Sequence, residues 1–372
     1  MKKLLIVGAM GLLVACGGEE ESTEAEETAE ETTEETTAET EETETAEAEE
    51  TEEAEEEEPA LPPEPEAASP EPQTEGDVTV SAVACRVDGD PIHYDNFSTP
   101  GVGVSPDGST AWLVDQDRKL RKYSIAGEGE QCMLTLDTGF GEGGMLDLGF
   151  GDGMGGRVEG VDVDDSGNVY VSASMSGAVR VTPAGEVTRC ADSRGALSMN
   201  GDGTWGVAVF ASSARKVTWT ADGCTVEDYE YQEPYERAAT FSFTGGHLFI
   251  AGSVDTNAYR AQRYTLQGAP AGERWGGDEL NDPDKICSPG NVVTGSRGPI
   301  VLDQNCRSFI VTSNPNGEVA SRVNAMQLLG LRYPWVENIT EPRDGVAYVQ
   351  ASHERGRGTR HYDSYIFRLS GL

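Results

Sequence analysis

The chain has 372 residues, with 66 Asp and Glu against 27 Lys and Arg and a formal net charge of −39. Residues 1–77 hold 28 of these acids and two lysines, which leaves 38 acidic and 25 basic side chains in residues 78–372. Negative charge of this density repels nucleic acid and anionic lipid headgroups, so we expect neither as a ligand.

Residues 1–15 have the pattern of a secretory leader. Lys2 and Lys3 precede an apolar run that ends at Val14, and Cys16 follows Leu13-Val14-Ala15 directly. A short apolar run behind positive charges is typical of a signal peptide and is too short to span a bilayer as a mature helix.

The sequence Leu-Val-Ala-Cys resembles the lipobox of bacterial lipoproteins. The resemblance implies cleavage before Cys16 and acylation of that cysteine, so that a lipid anchor makes the membrane a partner. Gly17 in place of Asp resembles the pattern that is not retained at the inner membrane. We therefore expect an outer-membrane lipoprotein whose leaflet stays open, with an ordinary secretory peptide as the alternative.

Residues 17–77 are predicted to form a disordered acidic stalk. Residues 17–58 are mainly Glu, Thr and Ala, which bury too little apolar surface to offset the entropy of ordering. The prolines that follow favour an extended polyproline conformation; they are Pro59, Pro62, Pro63, Pro65, Pro70 and Pro72. A flexible coil of this length spans about 45 Å, enough for a spacer between membrane and domain, although a solubilising tail is the alternative.

Six cysteines remain after Cys16, and an even number in an exported chain predicts three disulfides. They are Cys85, Cys132, Cys190, Cys224, Cys287 and Cys306. Neighbour pairing (85–132, 190–224 and 287–306) closes the shortest loops, but the sequence leaves other pairings open. A zinc site is a poor alternative because no Cys-x-x-Cys occurs and the chain has only 4 His.

A repeated unit is visible from residue 101 onward. Residues 101–115 and 159–172 share a short alternating strand, a turn with Asp and Gly, and a second strand rich in Val and aromatics. The unit recurs with less similarity in residues 196–231, 238–275, 288–323 and 336–369. Units of about 35–50 residues, each a four-stranded meander, predict an all-β six-bladed β-propeller over residues 78–372. The last unit lacks a fourth strand, and the isolated strand 78–86 is predicted to supply it.

The first two units also resemble NHL repeats. The best match is Arg157-Val-Glu-Gly-Val-Asp-Val-Asp-Asp-Ser-Gly-Asn-Val-Tyr-Val171 together with residues 179–187. The similarity is clear over residues 100–190, faint as far as residue 372 and absent before residue 78. The resemblance implies a six-bladed propeller but no single function, because this fold hosts binding modules, lactonases and lyases.

The stretch Asp162-x-Asp164-x-Ser166-Gly167 resembles the start of an EF-hand calcium loop. Its twelfth position would be Ala173, so the bidentate Glu of such a loop is missing, and we predict a turn between two strands. The Gly-rich stretch 139–156 is not a phosphate-binding loop, because no lysine follows the glycines and they do not precede a helix. We predict a mobile surface loop there.

The predicted binding face is the one where connections between second and third strands gather with those between blades. Its candidates are Asp115, Asp117, Asp255, Asp303, His353 and Arg355. His353 and Arg355 belong to a basic segment, residues 353–361. Its arginines either bind an anionic group through bidentate hydrogen bonds or neutralise nearby acidic side chains.

A metal-dependent lactonase is the enzymatic alternative. Gluconolactonase-like propellers hold a divalent metal at the channel mouth with Glu, Asn and Asp, and Glu159, Asp303 and Asn338 are the corresponding candidates. The usual run of motifs is not matched, and no catalytic serine or His-Glu-x-x-His motif occurs. We therefore expect a monomeric recognition module, with no catalytic residues and no required cofactor, that binds a small molecule, a glycan or a protein.

Overall fold

The structure, a computed structural model, describes residues 72–75, 78–87, 93–94, 101–127, 131–151, 156–210, 213–232, 237–244, 246–253, 259–277, 289–303, 308–311, 319–331, 335–354 and 362–372. The predicted leader, Cys16 and the stalk before Pro72 lie outside these ranges. The described residues are almost entirely β-structure, as the repeats predict.

The first nine described strands divide between the last and the first sheet. In chain order they are β1 (Gln73–Glu75), β2 (Val78–Ala84), β3 (Arg86–Val87), β4 (His93–Tyr94), β5 (Val102–Val104), β6 (Thr110–Val114), β7 (Lys119–Ala126), β8 (Met133–Leu136) and β9 (Met145–Asp147).

The middle of the chain forms four meanders of four strands each. These strands are β10 (Val158–Val163), β11 (Val169–Ala173), β12 (Gly177–Val181), β13 (Val187–Cys190), β14 (Ala196–Met199), β15 (Trp205–Phe210), β16 (Ser213–Trp219), β17 (Cys224–Asp228), β18 (Arg237–Thr244), β19 (His247–Ser253), β20 (Tyr259–Tyr264), β21 (Pro270–Gly277), β22 (Pro289–Gly295), β23 (Gly298–Asp303), β24 (Ser308–Val311) and β25 (Ser321–Asn324). A short helix, α1 (Ala325–Leu329), and the strands β26 (Trp335–Ile339), β27 (Val346–Glu354) and β28 (Tyr362–Ser370) complete the chain.

These strands pair into six sheets within the described ranges. Sheet 1 contains β5 to β8, with β3 and β9 added at its outer side; sheets 2 to 5 contain β10 to β13, β14 to β17, β18 to β21 and β22 to β25; sheet 6 contains β26 to β28 with β2, β1 and β4. Pairing is antiparallel except between β3 and β8. Five sheets thus hold a four-strand meander of consecutive strands, whereas the last has three.

The N-terminal strand completes the last sheet. Strand β2 pairs antiparallel with β28, from Ser81 opposite Ser370 to Ala84 opposite Phe367. The predicted role of residues 78–86 is therefore seen, with one correction to its end. Arg86 and Val87 leave sheet 6 and pair in parallel with β8 of sheet 1, so this short segment joins the last sheet to the first.

The hydrophobic core is divided among the sheet interfaces. Each of the six described clusters of buried side chains lies between two consecutive sheets, including one between sheets 6 and 1 that contains Val102, Leu113, Tyr348 and Ile366. This closed succession of interfaces arranges the sheets as the blades of a β-propeller.

The middle strands read as continuous apolar runs because both of their faces are buried. In β11, Val169 and Val171 pack towards sheet 1, while Tyr170 between them packs towards sheet 3. Every residue of β11 is buried. A strand with two covered faces needs apolar residues at both alternating positions, in contrast to a sheet with one face in water.

Two disulfides are described, and both agree with the predicted neighbour pairing. Cys85 bonds Cys132 with a Cα–Cα distance of 4.4 Å, and Cys190 bonds Cys224 with 5.4 Å. Each bond joins neighbouring sheets: the first connects the end of β2 to the start of β8, and the second connects β13 to β17. The third predicted pair, Cys287 and Cys306, lies outside the described residues.

The Gly-rich stretch 139–156 is not the free surface loop that the sequence predicted. Residues 145–147 form β9 and pair with β7, and the side chains of Phe140, Leu148 and Phe150 are buried in the core between sheets 1 and 2. These three apolar residues among the glycines fix the loop against the blade, because their burial removes apolar surface from water.

Candidate functional site

A cavity of about 810 Å³ lies on the axis of the propeller. The innermost strands of all six sheets line it, namely β5, β10, β14, β18, β22 and β26. At one end, which we call the turn end, it is bordered by residues from the turns between first and second strands; these are Ser105, Pro106, Asp107, Gly108, Asp165, Gly201, Thr340, Glu341, Arg343 and Asp344.

A ring of side-chain hydrogen bonds surrounds this cavity, and we call its residues the girdle. The girdle residues lie on the inner strands of sheets 2 to 6: Asp162, Ser198, Ser242, Asn291 and Asn338. Each of these side chains accepts a hydrogen bond from a backbone N–H of the next sheet. The bonds are Met199 N to Asp162 Oδ2 (2.7 Å), Phe243 N to Ser198 Oγ (3.3 Å), Val292 N to Ser242 Oγ (3.3 Å), Ile339 N to Asn291 Oδ1 (3.5 Å) and Val102 N to Asn338 Oδ1 (3.1 Å).

The girdle solves a problem that every propeller has at its centre. The inner strand of each sheet is an edge strand, and the backbone N–H groups on its open side have no strand to pair with. A buried N–H without an acceptor is costly, so each of these groups needs a partner from elsewhere. A polar side chain on the preceding sheet supplies that partner and joins the two sheets at the same time.

Sheet 1 contributes no side chain to the girdle, because a glycine faces sheet 2 there. A Cβ on Gly103 would lie 2.7 Å from Val163 and 2.9 Å from Val161 of sheet 2, so the two strands approach too closely for a side chain. Gly103 therefore offers no side-chain acceptor to sheet 2. The N–H of Val163 is bound instead by Asp162 Oδ1 at 2.8 Å, so one carboxylate serves two backbone groups.

The position of Asp162 in the cavity wall shifts the pKa of its carboxylate. The pKa is raised to about 6, mainly by burial and also by the negative charges of Asp164 and Glu341, against the two backbone hydrogen bonds that favour ionisation. The protonation state of this group therefore changes within the mildly acidic range.

The stretch with calcium-loop resemblance forms a strand-connecting turn, as predicted. The carboxylate of Asp164 accepts hydrogen bonds from Ser166 N, Asn168 N, Asn168 Nδ2 and Tyr170 Oη at 2.8 to 2.9 Å. These four donors come from the turn and the following strand. Burial and the bond to Asp164 raise the pKa of Tyr170 above its usual range.

Two candidates of the predicted binding face sit in the turn between β6 and β7. Asp115 is buried and accepts hydrogen bonds from Lys119 N and Arg121 Nε, both at 2.9 Å, so it organises its own turn. Asp117, by contrast, is exposed. Neither residue lines the axial cavity.

The other candidates of that face are described only in part. Asp303 ends β23 and is fully buried (0% exposed). His353 lies on β27, although its side chain is not among those that the structure describes. Asp255 and Arg355 lie outside the described residues.

The structure brings two of the three proposed metal ligands to the same cavity. Glu159 and Asn338 both line it, whereas Asp303 does not. Glu159 accepts a hydrogen bond from Ser174 and lies 3.8 Å from Arg157, and both polar atoms of the Asn338 amide bind the backbone of Val102.

Two kinds of feature are absent from the described residues. No group of three or more His, Cys, Asp and Glu side chains is placed so that it could hold a metal ion. No helix in the same ranges has the length and apolar character required to cross a membrane.

Sequence comparison identifies no relatives: no protein-family model matches the chain, and no curated protein matches it. Among solved structures, the chain is similar to BamB from Moraxella catarrhalis, with 11% sequence identity and a TM-score of 0.42 over 81% of this chain and 94% of that one. It is also similar to a chain in the crystal structure of a nidogen/laminin complex, with 12% identity and a TM-score of 0.41 over 61% of this chain and 80% of that one.

Proposed function

We propose that this protein is a recognition module whose six sheets act as a six-bladed propeller and whose axial cavity binds a small ligand. The observation that carries the proposal is the cavity itself. Its volume of about 810 Å³ falls within the roughly 300–1,000 Å³ typical of ligand sites. Walls contributed by every sheet also make the site rigid, which lowers the cost of ordering on binding.

The chemistry of the wall supports binding of an amphiphilic molecule. Girdle side chains are occupied by backbone N–H groups, so their present role is to hold the sheets together. Apolar side chains also reach the wall, with Val104, Val163 and Phe243 among the lining residues. A ligand would therefore contact apolar side chains along the wall and polar groups at the turn end.

Narrowing the cavity tests this proposal. Val104 lines the cavity and is half-buried, so Val104→Trp should occupy part of the space, while the matched change Val187→Trp lies on an exposed outer strand. Both variants and the parent are screened by thermal shift against a panel of oligosaccharides and amphiphilic small molecules. We expect compounds that stabilise the parent and Val187→Trp but not Val104→Trp. The proposal is wrong if no compound stabilises the parent, or if all hits bind both variants equally.

We also propose that the module is anchored to the outer membrane through acylated Cys16. The lipobox-like Leu13-Val14-Ala15-Cys16 and the acidic, proline-rich stretch that follows support this assignment. Labelling cells with a clickable fatty acid should tag the parent but not Cys16→Ser. Equal labelling of both chains, or none of the parent, would contradict the assignment.

The lactonase stays as the rival proposal because Glu159 and Asn338 line the same cavity. It requires a divalent metal that polarises a lactone or activates water. Under this rival, calcium or zinc would raise the melting temperature of the parent by several degrees, Glu159→Gln would lose that shift, and a lactone panel would be turned over. The recognition proposal expects none of these three results.

A further inference from the structure

The turn between β26 and β27 contacts side chains of two other sheets. Its residue Glu341 accepts a hydrogen bond from Thr244 Oγ1 of sheet 4 at 2.9 Å. Its residue Arg343 lies 3.8 Å from the carboxylate of Asp165 in sheet 2. One turn of sheet 6 thus contacts two sheets that are not its neighbours in the ring.

These contacts place the turn across the axis of the propeller. Sheets 2, 4 and 6 are alternate members of a ring of six, so a segment of sheet 6 that touches both of the others must extend over the centre. The cavity lining agrees, because Thr340, Glu341, Arg343 and Asp344 all border its turn end. The charge of Glu341 is also felt by Asp162 on the girdle, which places this carboxylate near the cavity wall.

The base of the turn is fixed by backbone hydrogen bonds, whereas the crossing depends on one side-chain hydrogen bond and one long ion pair. The N–H of Tyr348 donates to Thr340 Oγ1 at 2.8 Å, and the N–H of Thr340 donates to the carbonyl of Tyr348 at 2.9 Å. Within the turn, the backbone N–H and carbonyl groups of Arg343 and Val346 form two hydrogen bonds with each other. The ion pair to sheet 2 is long, and its side chains are 43% and 70% exposed, so solvent screens it strongly. The crossing can therefore open without disturbing the strands on either side.

We propose that this turn, residues 340–345, is a gate that closes the turn end of the axial cavity, with Glu341 and Arg343 as its two latches. The gate deepens the proposed function, since it controls entry to the cavity assigned there as the ligand site. Opening would break the contacts to Thr244 and Asp165 and leave the sheet 6 pairing intact. Ligand entry through this end would then depend on the latches.

Thiol labelling inside the cavity measures the gate without any ligand. Ser198 lines the cavity, so Ser198→Cys places a small thiol there, and its reaction with N-ethylmaleimide reports access. The same chain without this change gives the background from native cysteines. In the chain that carries Ser198→Cys, the double variant Glu341→Ala, Arg343→Ala removes both latches without changing the net charge.

We expect the double variant to react about five- to tenfold faster, the effect of losing roughly one net hydrogen bond from the closed state. Glu341→Gln keeps an acceptor oxygen for Thr244 and should react at nearly the parent rate. Asp202→Asn is the matched control, since Asp202 lies on the turn of sheet 3 and bonds only Thr204 of its own turn in the described contacts.

Equal labelling rates in the parent, the double variant and the control would overturn the gate. An equal acceleration in the control would overturn it as well, because the effect would then be general loosening. Circular dichroism and thermal unfolding establish that each variant is folded before its rate is compared. Since no ligand is used, the gate can fail while ligand binding is retained, and the reverse outcome is equally visible.

Discussion

At the residue scale, the girdle shows how single polar side chains hold a ring of sheets together. Asp162, Ser198, Ser242, Asn291 and Asn338 differ in chemistry, yet each accepts a backbone N–H from the next sheet. The position therefore requires a side-chain oxygen that can accept a hydrogen bond from the next sheet. Sequence analysis named two of these residues, Asp162 and Asn338, as possible metal ligands or loop residues and missed their shared structural role.

Asp162 should give the protein a characteristic pH dependence. Its folded pKa of about 6 exceeds the unfolded value of 3.8, so the folded state holds its proton more tightly between these pH values. The contribution of Asp162 to stability is full below pH 3.8 and is lost as pH rises through 6. Between pH 5 and 7.5 the loss should be about 1 kcal/mol.

The variant Asp162→Asn isolates this contribution because it does not titrate. Urea unfolding at pH 5 and 7.5 should show that the parent loses about 1 kcal/mol more than the variant over this interval. Asp107→Asn is the control. Hydrogen bonds from Ser105 and Ser109 lower the pKa of Asp107 to about 2, so its stabilisation is lost only as pH falls below 3.8. A parallel loss in the parent and Asp162→Asn would contradict the prediction.

Gly101 should tolerate no side chain. Gly101→Ala imposes a positive φ on a residue with a Cβ and drives that atom into the Asn338 amide. We expect a loss of at least about 2 kcal/mol in denaturant unfolding. Gly108→Ala is the matched case, because Gly108 also has a positive φ but open space around it, and should lose only about 1 kcal/mol. Similar losses at both glycines would show that the clash with Asn338 is unimportant.

At the scale of the element, the two disulfides reinforce boundaries between sheets. Cys85–Cys132 joins sheet 6 to sheet 1, and Cys190–Cys224 joins sheet 2 to sheet 3. The first is placed where the chain closes its own ring, next to the parallel pairing of β3 with β8. At this boundary the protein depends on a strand that comes from the opposite end of the sequence.

Removing the closing disulfide should loosen that boundary selectively. Cys85→Ala with Cys132→Ala should cost about 2–4 kcal/mol and speed amide exchange in β2 and β28. The companion pair Cys190→Ala with Cys224→Ala should have a similar cost but act on β13 and β17. Faster exchange in the same strands for both pairs would contradict a local role.

The complete set of three predicted disulfides can be checked in one measurement. Intact mass after alkylation without reductant should show no added thiol mass on the mature chain, since six cysteines would be paired. Two added groups would mean that Cys287 and Cys306 are free, provided that the two described bonds are formed. That outcome would reject the third pair and leave the others unaffected.

At the scale of the whole molecule, the six apolar interfaces of the described residues close on themselves, so each sheet packs against the sheet before it and the sheet after it. The interface between sheets 5 and 6 contains Val78, Val80 and Ala82 of β2, together with Leu328 and Leu329 of α1. Strand β2 therefore supplies both hydrogen bonds to β28 and apolar packing to this interface. Loss of this one strand would open the ring.

Truncation tests this dependence. A chain that starts at residue 70 keeps β1 and β2, and we expect it to melt at the temperature of the full mature chain. A chain that starts at residue 88 lacks them and exposes the interface of Leu328, Val336 and Phe367. We expect it to aggregate or to bind a hydrophobic dye, because this apolar surface would face water. A soluble, cooperatively folded shorter chain would refute the closing role of β2.

The sequence by itself determined the features that depend on local pattern. Period-two alternation and Asp-Gly turns recur along the chain, so the strands, the repeated unit and the propeller class could be predicted. The pairing of the N-terminal strand with the last sheet could be predicted as well, although it ends at Ala84 and not at residue 86. Neighbouring cysteines gave the two pairings that are described, because loops of one repeat bring outer strands of adjacent sheets together.

Only the tertiary structure decided which residues face the axis and what they do there. Asp162 and Asn338 are far apart in the chain, and nothing local shows that each binds the backbone of a neighbouring sheet. The crossing of Glu341 to Thr244 and of Arg343 to Asp165 likewise depends on how six sheets close around one axis. Contacts of this kind are set by the closure of the ring, and a periodic sequence pattern carries no information about which turn will lie across its centre.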